Sequence, residues 1–322
     1  MVPDPYFDAR KGRIMTQQLS LFPNSPLETL NRLQDKTFAE LDAALSPVDE
    51  VFAASTRFRN SLNFMELLDF IARFPNYSAF NGLLLYIQDS SATFVATARA
   101  WAKKFGRQPG QNARPLVILA PMAPIRFVFD IRGTEGAPVP SELLKSVESE
   151  NQLSGKIYSN TQHNCSLQGI AVSETTLSHD AEGTADRITP ALRKQYKDLN
   201  FQKNTSYLIH LNKTHSLEEK YSSFAHELGH IFCGHLGIDR YAWWPEREDL
   251  NISAEEIEAG CVAYLVCRRK GLRACSEKYL SNYVGANREM PAFSLNAVLQ
   301  AVSYVEEMGK NRWKELRKGR RN

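Results

Sequence analysis

The sequence predicts an α+β protein with two domains, and three observations carry this prediction. The chain has 322 residues, more than one hydrophobic core usually organises. Its first half combines helical periodicity with short β-rich segments that are bounded by proline and glycine. Its second half contains two long helices whose starts carry capping signals. We expect a flexible tail at residues 1–26, a first domain at 27–150 and a second at 151–322.

Composition limits the function classes that need to be considered. A hydrophobic content of 43% and a net charge of +3 fit a globular protein, and this charge is too small to indicate nucleic-acid binding by itself. No apolar segment approaches the ~18–20 residues of a membrane span. The first residues lack the apolar core of a signal peptide, and five cysteines without framework spacing favour reduced thiols. We therefore expect a cytoplasmic protein, and Met15 offers an alternative start that would make residues 1–14 an extension.

The first domain is expected to begin with helices and continue with strands. Apolar residues recur at three- and four-residue steps in LETLNRLQDKTFAELDAAL (27–45) and FMELLDFIARF (64–74). The β-rich segments RPLVILAP (114–121) and IRFVFDI (125–131) follow. Residues 133–165 are rich in glycine, proline, serine and asparagine, which predicts a connection with one short helix.

The second domain is expected to place two strands before two helices. QGIAV (168–172) and SYLIHLN (206–212) are the strand candidates. Ser216 with Glu219 forms a capping-box pattern for the first helix, which Gly234 closes. Ser253 with Glu256 repeats the pattern for the second helix, which ends at Gly271.

The first of these helices contains FAHELGHIFCGH (224–235), in which His226 and His230 are four residues apart. Two histidines at that spacing lie on one helix face and can bind a single Zn²⁺ ion. Glu227 is then placed to accept a proton from the water that the metal activates. A chance HExxH pattern is the alternative, and its position within a capped helix argues against chance.

A catalytic zinc site needs a third protein ligand, and the helix after Ser253 offers three glutamates. Glu256 is expected to be used by the capping box, which leaves Glu258 as the preferred ligand and Glu255 as the alternative. Small residues after Glu258 permit close helix packing, and a carboxylate at the start of a buried helix needs a partner. His235 and Cys233 are weaker ligand candidates, since Gly234 is expected to end the helix and a thiol would compete for the open position. His210 can face the cleft and stabilise an oxyanion, or it can be an ordinary strand histidine.

Two segments of the second half resemble a known family. YLIHLNKTHSLEEKYSSFAHELGHIFCGH and EIEAGCVAYLV are similar to the corresponding segments of ImmA/IrrE-type metallopeptidases, and the likeness covers about residues 200–285. The sequence departs from that family at Gly260, where an acidic residue is common. The resemblance implies a zincin-like domain that holds zinc and hydrolyses peptide bonds of a protein target.

The first half resembles a different family. RFPNYSAFNGLLLYIQDSSATFVATARAWAKKFGRQPG (73–110) is similar to the single-strand-DNA-binding domain of ArdC-type antirestriction proteins and LtrC-like plasmid proteins. The lysine-rich turn of that family is replaced here by QPGQNARP, which removes phosphate contacts. The resemblance implies DNA contacts on one helix, in which the cations meet phosphates and Trp101 or Phe105 stacks on bases. The alternative is that Trp101 and Phe105, which are four residues apart on a helix, pack inward as core residues. The cations are Arg99, Lys103, Lys104 and Arg107.

Two functions from different classes follow. The first is a zinc metallopeptidase that cleaves a specific protein target, linked to DNA, mobile elements or a stress response. The alternative is an ArdC-like antirestriction or single-strand-DNA-binding protein in which the zinc is mainly structural. Glu227 favours the enzyme, because a structural site has no use for a carboxylate at the open position of the metal.

A partner is also suggested by QLSLF in the tail. Gln18, Leu21 and Phe22 resemble the short peptide by which bacterial DNA-processing proteins bind the replicative sliding clamp. Leu21 and Phe22 would fill an apolar pocket and Gln18 would hydrogen-bond at its rim. Docking of the tail on the protein's own surface is the alternative.

Overall fold

The computed structural model describes most of the chain from residue 60 to residue 314. The described residues are Asp49 and the ranges 60–120, 123–139, 152–178, 182–199, 201–202, 204–238, 243–272, 275, 277–283 and 287–314. The expected tail with Gln18, Leu21 and Phe22, and the helix expected at 27–45, lie outside these residues. Contacts divide the chain into two units, one with residues up to 149 and 283–296, the other with residues 150–282 and 297–322.

Both units mix helices with strands, which confirms the α+β class. In the first unit the elements are α1 (Ser61–Ala72), α2 (Ala79–Gln88), β1 (Val95–Ala96), α3 (Ala98–Phe105), β2 (Arg107–Pro109), β3 (Leu116–Ala120), β4 (Ala123–Asp130) and β5 (Thr134–Gly136). The strands form an antiparallel sheet of order β1-β4-β3 and a separate β2-β5 pair. No described helix combines the length and hydropathy that a membrane crossing requires.

Two amides of α2 pair with the backbone of β3. Asn81 donates to the carbonyl of Leu119 at 3.1 Å and accepts from the amide of Leu119 at 2.9 Å. Gln88 makes the same pair of bonds with Val117, both at 2.8 Å. A strand at a sheet edge leaves backbone N–H and C=O groups unpaired. The two side-chain amides satisfy these groups at Val117 and Leu119 and so cover the edge of β3.

The sequence assigned residues 283–296 to the second domain, but this segment packs in the first unit. Asn60 and Glu289 form an antiparallel bridge, and the amide of Ser61 donates to the carbonyl of Arg288 at 2.9 Å. Ser294 donates to the carboxylate of Asp49 at 2.7 Å. These bonds join positions more than 200 residues apart, and local sequence patterns do not encode such pairings.

The second unit contains the three-stranded sheet and the two helices that build the site. Its elements are α4 (Gly155–Leu167), β6 (Ile170–Thr175), β7 (Gly183–Arg187), α5 (Pro190–Gln195), β8 (Tyr207–Asn212), α6 (Leu217–Phe232) and α7 (Ile252–Arg268); α8 (Leu295–Lys310) completes the described helices. The strand order is β6-β8-β7, in which β8 is parallel to β6 and antiparallel to β7. All six residues of β8 are buried, so this central strand lies in the core of the unit.

The two site helices begin differently. The capping box at the start of α6 is confirmed, because the Ser216 side chain accepts from the amide of Glu219 and the Glu219 carboxylate accepts from the amide of Ser216. The capping box expected at Ser253 is wrong. The cap of α7 is Asn251, whose side chain accepts from the amide of Ala254 at 2.9 Å. Since the helix begins two residues earlier than expected, Glu256 is not needed for capping.

Candidate metal centre

Helix α6 presents two histidines toward α7. The Nε2 atoms of His226 and His230 lie 3.2 Å apart, as expected for residues one helical turn from each other. Gly229 lies between them and faces Ala259 of α7, where a Cβ atom at Gly229 would stand 2.8 Å from the Ala259 Cα. The absence of a side chain at Gly229 therefore allows the two helices to approach closely.

The carboxylate that meets both histidines is Glu256. Its oxygens lie 3.5 Å from His226 Nε2 and 3.6 Å from His230 Nε2. Hydrogen bonding to His226 lowers the pKa of Glu256, and burial lowers the pKa of His230. At neutral pH the group thus combines a neutral imidazole at His230 with an anionic carboxylate, which are the forms that a metal requires.

The three side chains fit a zinc ion. A tetrahedral ion with bonds of about 2.0–2.1 Å holds its ligand atoms about 3.3 Å apart, close to the separations observed here. The side chain of Glu256 is 57% exposed, whereas those of His226 and His230 are 8% and 14% exposed. The group is therefore open to solvent on the side of Glu256.

Glu258, the preferred third ligand in the sequence analysis, lies in a different contact group. Its side chain is fully buried, and its two oxygens accept from the Arg247 guanidinium at 2.6 and 2.7 Å. One of these oxygens also lies 3.0 Å from His235 Nε2. The carboxylate at the start of α7 did need a partner, but Arg247 fills that role. Glu255 does not belong to either group of candidate ligands among the described residues.

Glu227 lies next to Gly183 at the start of strand β7. It is buried, and its Oε1 would stand 3.2 Å from a Cβ atom placed on Gly183. Burial, together with the nearby carboxylates of Glu256, Asp186 and Glu182, raises the pKa of Glu227 to about 8. A cation held by the histidines would counteract this effect, because it favours the charged form of a neighbouring carboxylate.

The ring of His226 is held by aromatic stacking. Tyr279 lies parallel to it, with ring centroids 4.0 Å apart and an interplanar angle of 13°. Burial and the nearby Glu182 raise the pKa of Tyr279, so its hydroxyl stays protonated. No sequence pattern predicts this contact, because Tyr279 follows α7 by more than ten residues and matches no motif.

His210 is buried in the middle of β8. Its ring contacts Tyr196, with centroids 5.0 Å apart, and its two nitrogens find no hydrogen-bond partner among the described residues. Its register partner on β7 is Thr184, which follows Gly183. Burial lowers the pKa of His210, so the ring is neutral at pH 7.

The residues predicted to contact DNA divide into two sets. Arg99, Lys103 and Lys104 are exposed on α3. Trp101 is fully buried and its indole donates to the Phe129 carbonyl at 2.8 Å, so it cannot stack on a base. The remaining two residues are partly buried and take part in the fold: Phe105 packs against Trp101, and Arg107 binds the side chain of Thr134 at 2.9 Å and the carbonyls of Thr134 and Ala137.

The contact at Gly229 gives a testable prediction. Gly229→Ala is expected to destabilise the protein by about 1–3 kcal/mol through overpacking, although alanine favours helices, and to weaken zinc binding by moving Glu256 away from the histidines. Gly155→Ala is the matched control, because a Cβ atom there would meet nothing within 4 Å. Thermal unfolding and zinc titration measure both effects. Zinc binding by Gly229→Ala at wild-type affinity would contradict the prediction.

Comparison with known families supports a peptidase-like second unit. The model of the Peptidase M78 family, described as the IrrE N-terminal-like domain, matches residues 181–284. Comparisons with curated proteins and with solved structures find no match. The matched segment contains His226, Glu227, His230 and Glu256, and it confirms the ImmA/IrrE part of the resemblance. The ArdC-like resemblance of the first half receives no support from these comparisons.

Proposed function

We propose that the second unit is a zinc-dependent endopeptidase in which His226, His230 and Glu256 hold the metal. The observation that carries this proposal is the convergence of two imidazole nitrogens and one carboxylate, 3.2–3.6 Å apart, beside the buried Glu227. A zinc ion bound there supplies Lewis acidity, which activates water near neutral pH and polarises the scissile carbonyl. The match to a peptidase family over residues 181–284 supports the same reaction class.

Glu227 is the general base in this proposal. Its carboxylate removes a proton from the attacking water and delivers it to the leaving amine nitrogen, so that one side chain serves both proton transfers. A structural metal site would not need this residue. Its low exposure limits competing water around the reacting groups.

Strand β7 supports an extended peptide as the substrate. It lies at the edge of the described sheet, paired with β8 on one side. Gly183 begins this strand and adjoins Glu227, so a peptide that pairs with the free edge would pass beside the general base. Backbone pairing at a sheet edge gives affinity without a specific sequence, which is typical of peptide recognition.

The test is zinc-dependent hydrolysis by the purified full chain. We expect about one zinc per chain and cleavage of members of a mixed peptide library, detected by mass spectrometry. Removal of zinc with a chelator should abolish cleavage and its return should restore cleavage. Stoichiometric zinc without cleavage of any library peptide or unfolded protein would favour a structural role for the metal.

Single-strand DNA binding by the first unit remains a second proposal. Arg99, Lys103 and Lys104 favour it, because three exposed cations on one short helix can contact phosphates. Since Trp101 is buried, the large exposed aromatic among the described residues of this unit is Phe127, which is 52% exposed. We propose it as the stacking residue in place of Trp101.

Fluorescence anisotropy with labelled oligonucleotides tests this proposal. Wild type is expected to bind single strands better than duplexes at low salt, and each cation removed should reduce the salt slope by roughly one. Changing the three cations to serine should abolish binding, and Phe127→Ser should weaken binding without altering the salt slope. No binding of single strands by wild type at low salt would refute the proposal.

A further inference from the structure

A second buried polar group adjoins the candidate metal centre. His235 Nδ1 lies 3.0 Å from His230 Nδ1, and His235 Nε2 lies 3.0 Å from a carboxylate oxygen of Glu258. The side chains of His235 and Glu258 are 1% and 0% exposed. Arg247 binds both oxygens of Glu258 and also donates to the carbonyl of Cys233 at 3.0 Å. A continuous chain of contacts thus connects Arg247 to His230.

The direction of each hydrogen bond follows from its chemistry. The bidentate hydrogen bonding from arginine holds Glu258 as a carboxylate, which can only accept hydrogen bonds. His235 Nε2 must then donate to it, and when that is the only ring proton of His235, its Nδ1 is an acceptor. His230 Nδ1 therefore donates to His235, and the lone pair of His230 Nε2 is left facing His226 and Glu256.

We propose that His235 and Glu258, held by Arg247, are positioning residues that fix His230 in the tautomer whose Nε2 can bind the metal. This inference rests on the proposed zinc site and assigns a role to residues outside the ligand set. Partners of this kind orient metal-bound histidines and raise their basicity. His226 is held differently, by the ring of Tyr279, and its Nδ1 finds no hydrogen-bond partner among the described residues.

A second metal site is the competing explanation for this group. One ligand atom from each of Cys233, His235 and Glu258 lies within 4.8 Å of the other two. However, the Arg247 guanidinium already occupies both oxygens of Glu258, and its charge would repel a metal cation. Burial also raises the pKa of Cys233, which disfavours the thiolate that zinc requires.

Zinc affinity, measured by competition with a chelator, provides the first test. His235→Ala and Glu258→Gln are each expected to weaken zinc binding roughly 10–100-fold. His235→Gln should recover part of the loss, because its amide oxygen can accept from His230 Nδ1. Glu306→Gln is the matched control, since Glu306 is also buried and bound to an arginine, Arg269, at 2.8 Å. The control should lower thermal stability without changing zinc affinity.

The second test is the tautomer of His230, read from the imidazole ¹⁵N resonances of the metal-free protein. Wild type should carry the proton on Nδ1, whereas His235→Ala should show a mixture of both tautomers. A proton on Nε2 in wild type, or wild-type zinc affinity in His235→Ala, would overturn the inference. Two zinc ions per chain, with one lost in His235→Ala, would establish the second metal site instead.

The two tests separate this inference from the proposed function. If wild type binds no zinc, the zinc peptidase proposal fails, and the tautomer in metal-free protein still decides the role of His235. If wild type binds one zinc and cleaves peptides while His235→Ala retains full affinity, the positioning role fails alone.

Discussion

Glu227→Gln is expected to lower peptide hydrolysis by roughly 10²–10⁴-fold while zinc remains bound. The amide has nearly the same shape as the carboxylate but cannot accept a proton from water at neutral pH. Since Glu227 is not one of the three converging ligands, the metal should remain at about one ion per chain. The measurement is the cleavage rate of one identified peptide, with zinc content determined on the same sample.

Glu255→Gln is the matched control for this change. Glu255 also belongs to the second unit, on α7, but does not join the group that contains His226, His230 and Glu256. It should retain the wild-type rate. Equal cleavage rates of wild type and Glu227→Gln would show that Glu227 is not the general base. If Glu227→Gln loses zinc, its lower rate would reflect the lost metal and would contradict the expected retention of zinc.

The same variant should also alter the stability of metal-free protein. The pKa of Glu227 rises from an ordinary value of 4.5 to about 8 on folding, so the stability of wild type falls as pH increases between these values. Glutamine does not titrate. The free energy of unfolding of Glu227→Gln should therefore exceed that of wild type by a margin that grows by on the order of 3 kcal/mol between pH 5 and pH 8. Urea unfolding at the two pH values tests the sign, and a margin that shrinks with pH would contradict it.

The histidine helix was predictable because its signals are local. Ser216 and Glu219 define its start through bonds that span three residues, and His226 and His230 share a face through the helical repeat. The buried β8 strand was predictable for a similar reason, since SYLIHLN is a short, mostly apolar segment that contains Tyr207, Leu208, Ile209 and Leu211. Strand β7 carries no such local signal, because GTADR has no apolar alternation and is a strand through its pairing with β8.

The proposed third ligand could not be chosen from the sequence because one local capping signal was ambiguous and one contact joins residues that are distant in the sequence. Because Asn251 caps α7, Glu256 is not needed in a capping box. Ser253 offered an equally good capping pattern two residues later. Arg247, which follows α6 in the sequence, donates from its guanidinium to Glu258. Its backbone amide also donates to the carbonyl of Gly234 at 3.0 Å. Likewise, the spacing of Trp101 and Phe105 placed both on one helix face and left open whether this face packs inward, as the structure shows, or contacts DNA.

Glu256→Ala is expected to weaken zinc binding by more than the roughly 100-fold limit for changes outside the ligand set. Glu256 is the anionic member of the converging group, and its oxygens lie 3.5 and 3.6 Å from the two histidine nitrogens. Without it, two imidazoles remain, and a catalytic zinc site needs three protein ligands. His226→Ala and His230→Ala should cause losses of the same size. Zinc titration against a competing chelator measures all three.

Glu258→Ala and Glu255→Ala distinguish the ligand from its neighbours on α7. Glu255→Ala should bind zinc like wild type, because Glu255 has no place in either candidate group. The zinc affinity of Glu258→Ala should lie between those of Glu255→Ala and Glu256→Ala. Removal of the Glu258 carboxylate disturbs His235 but leaves the three proposed ligands in place. The reverse order, with zinc lost in Glu258→Ala and kept in Glu256→Ala, would make Glu258 the ligand. It would also require Arg247 to weaken or release its bond to the carboxylate oxygen that binds the metal, because a guanidinium and a zinc ion would compete for that oxygen.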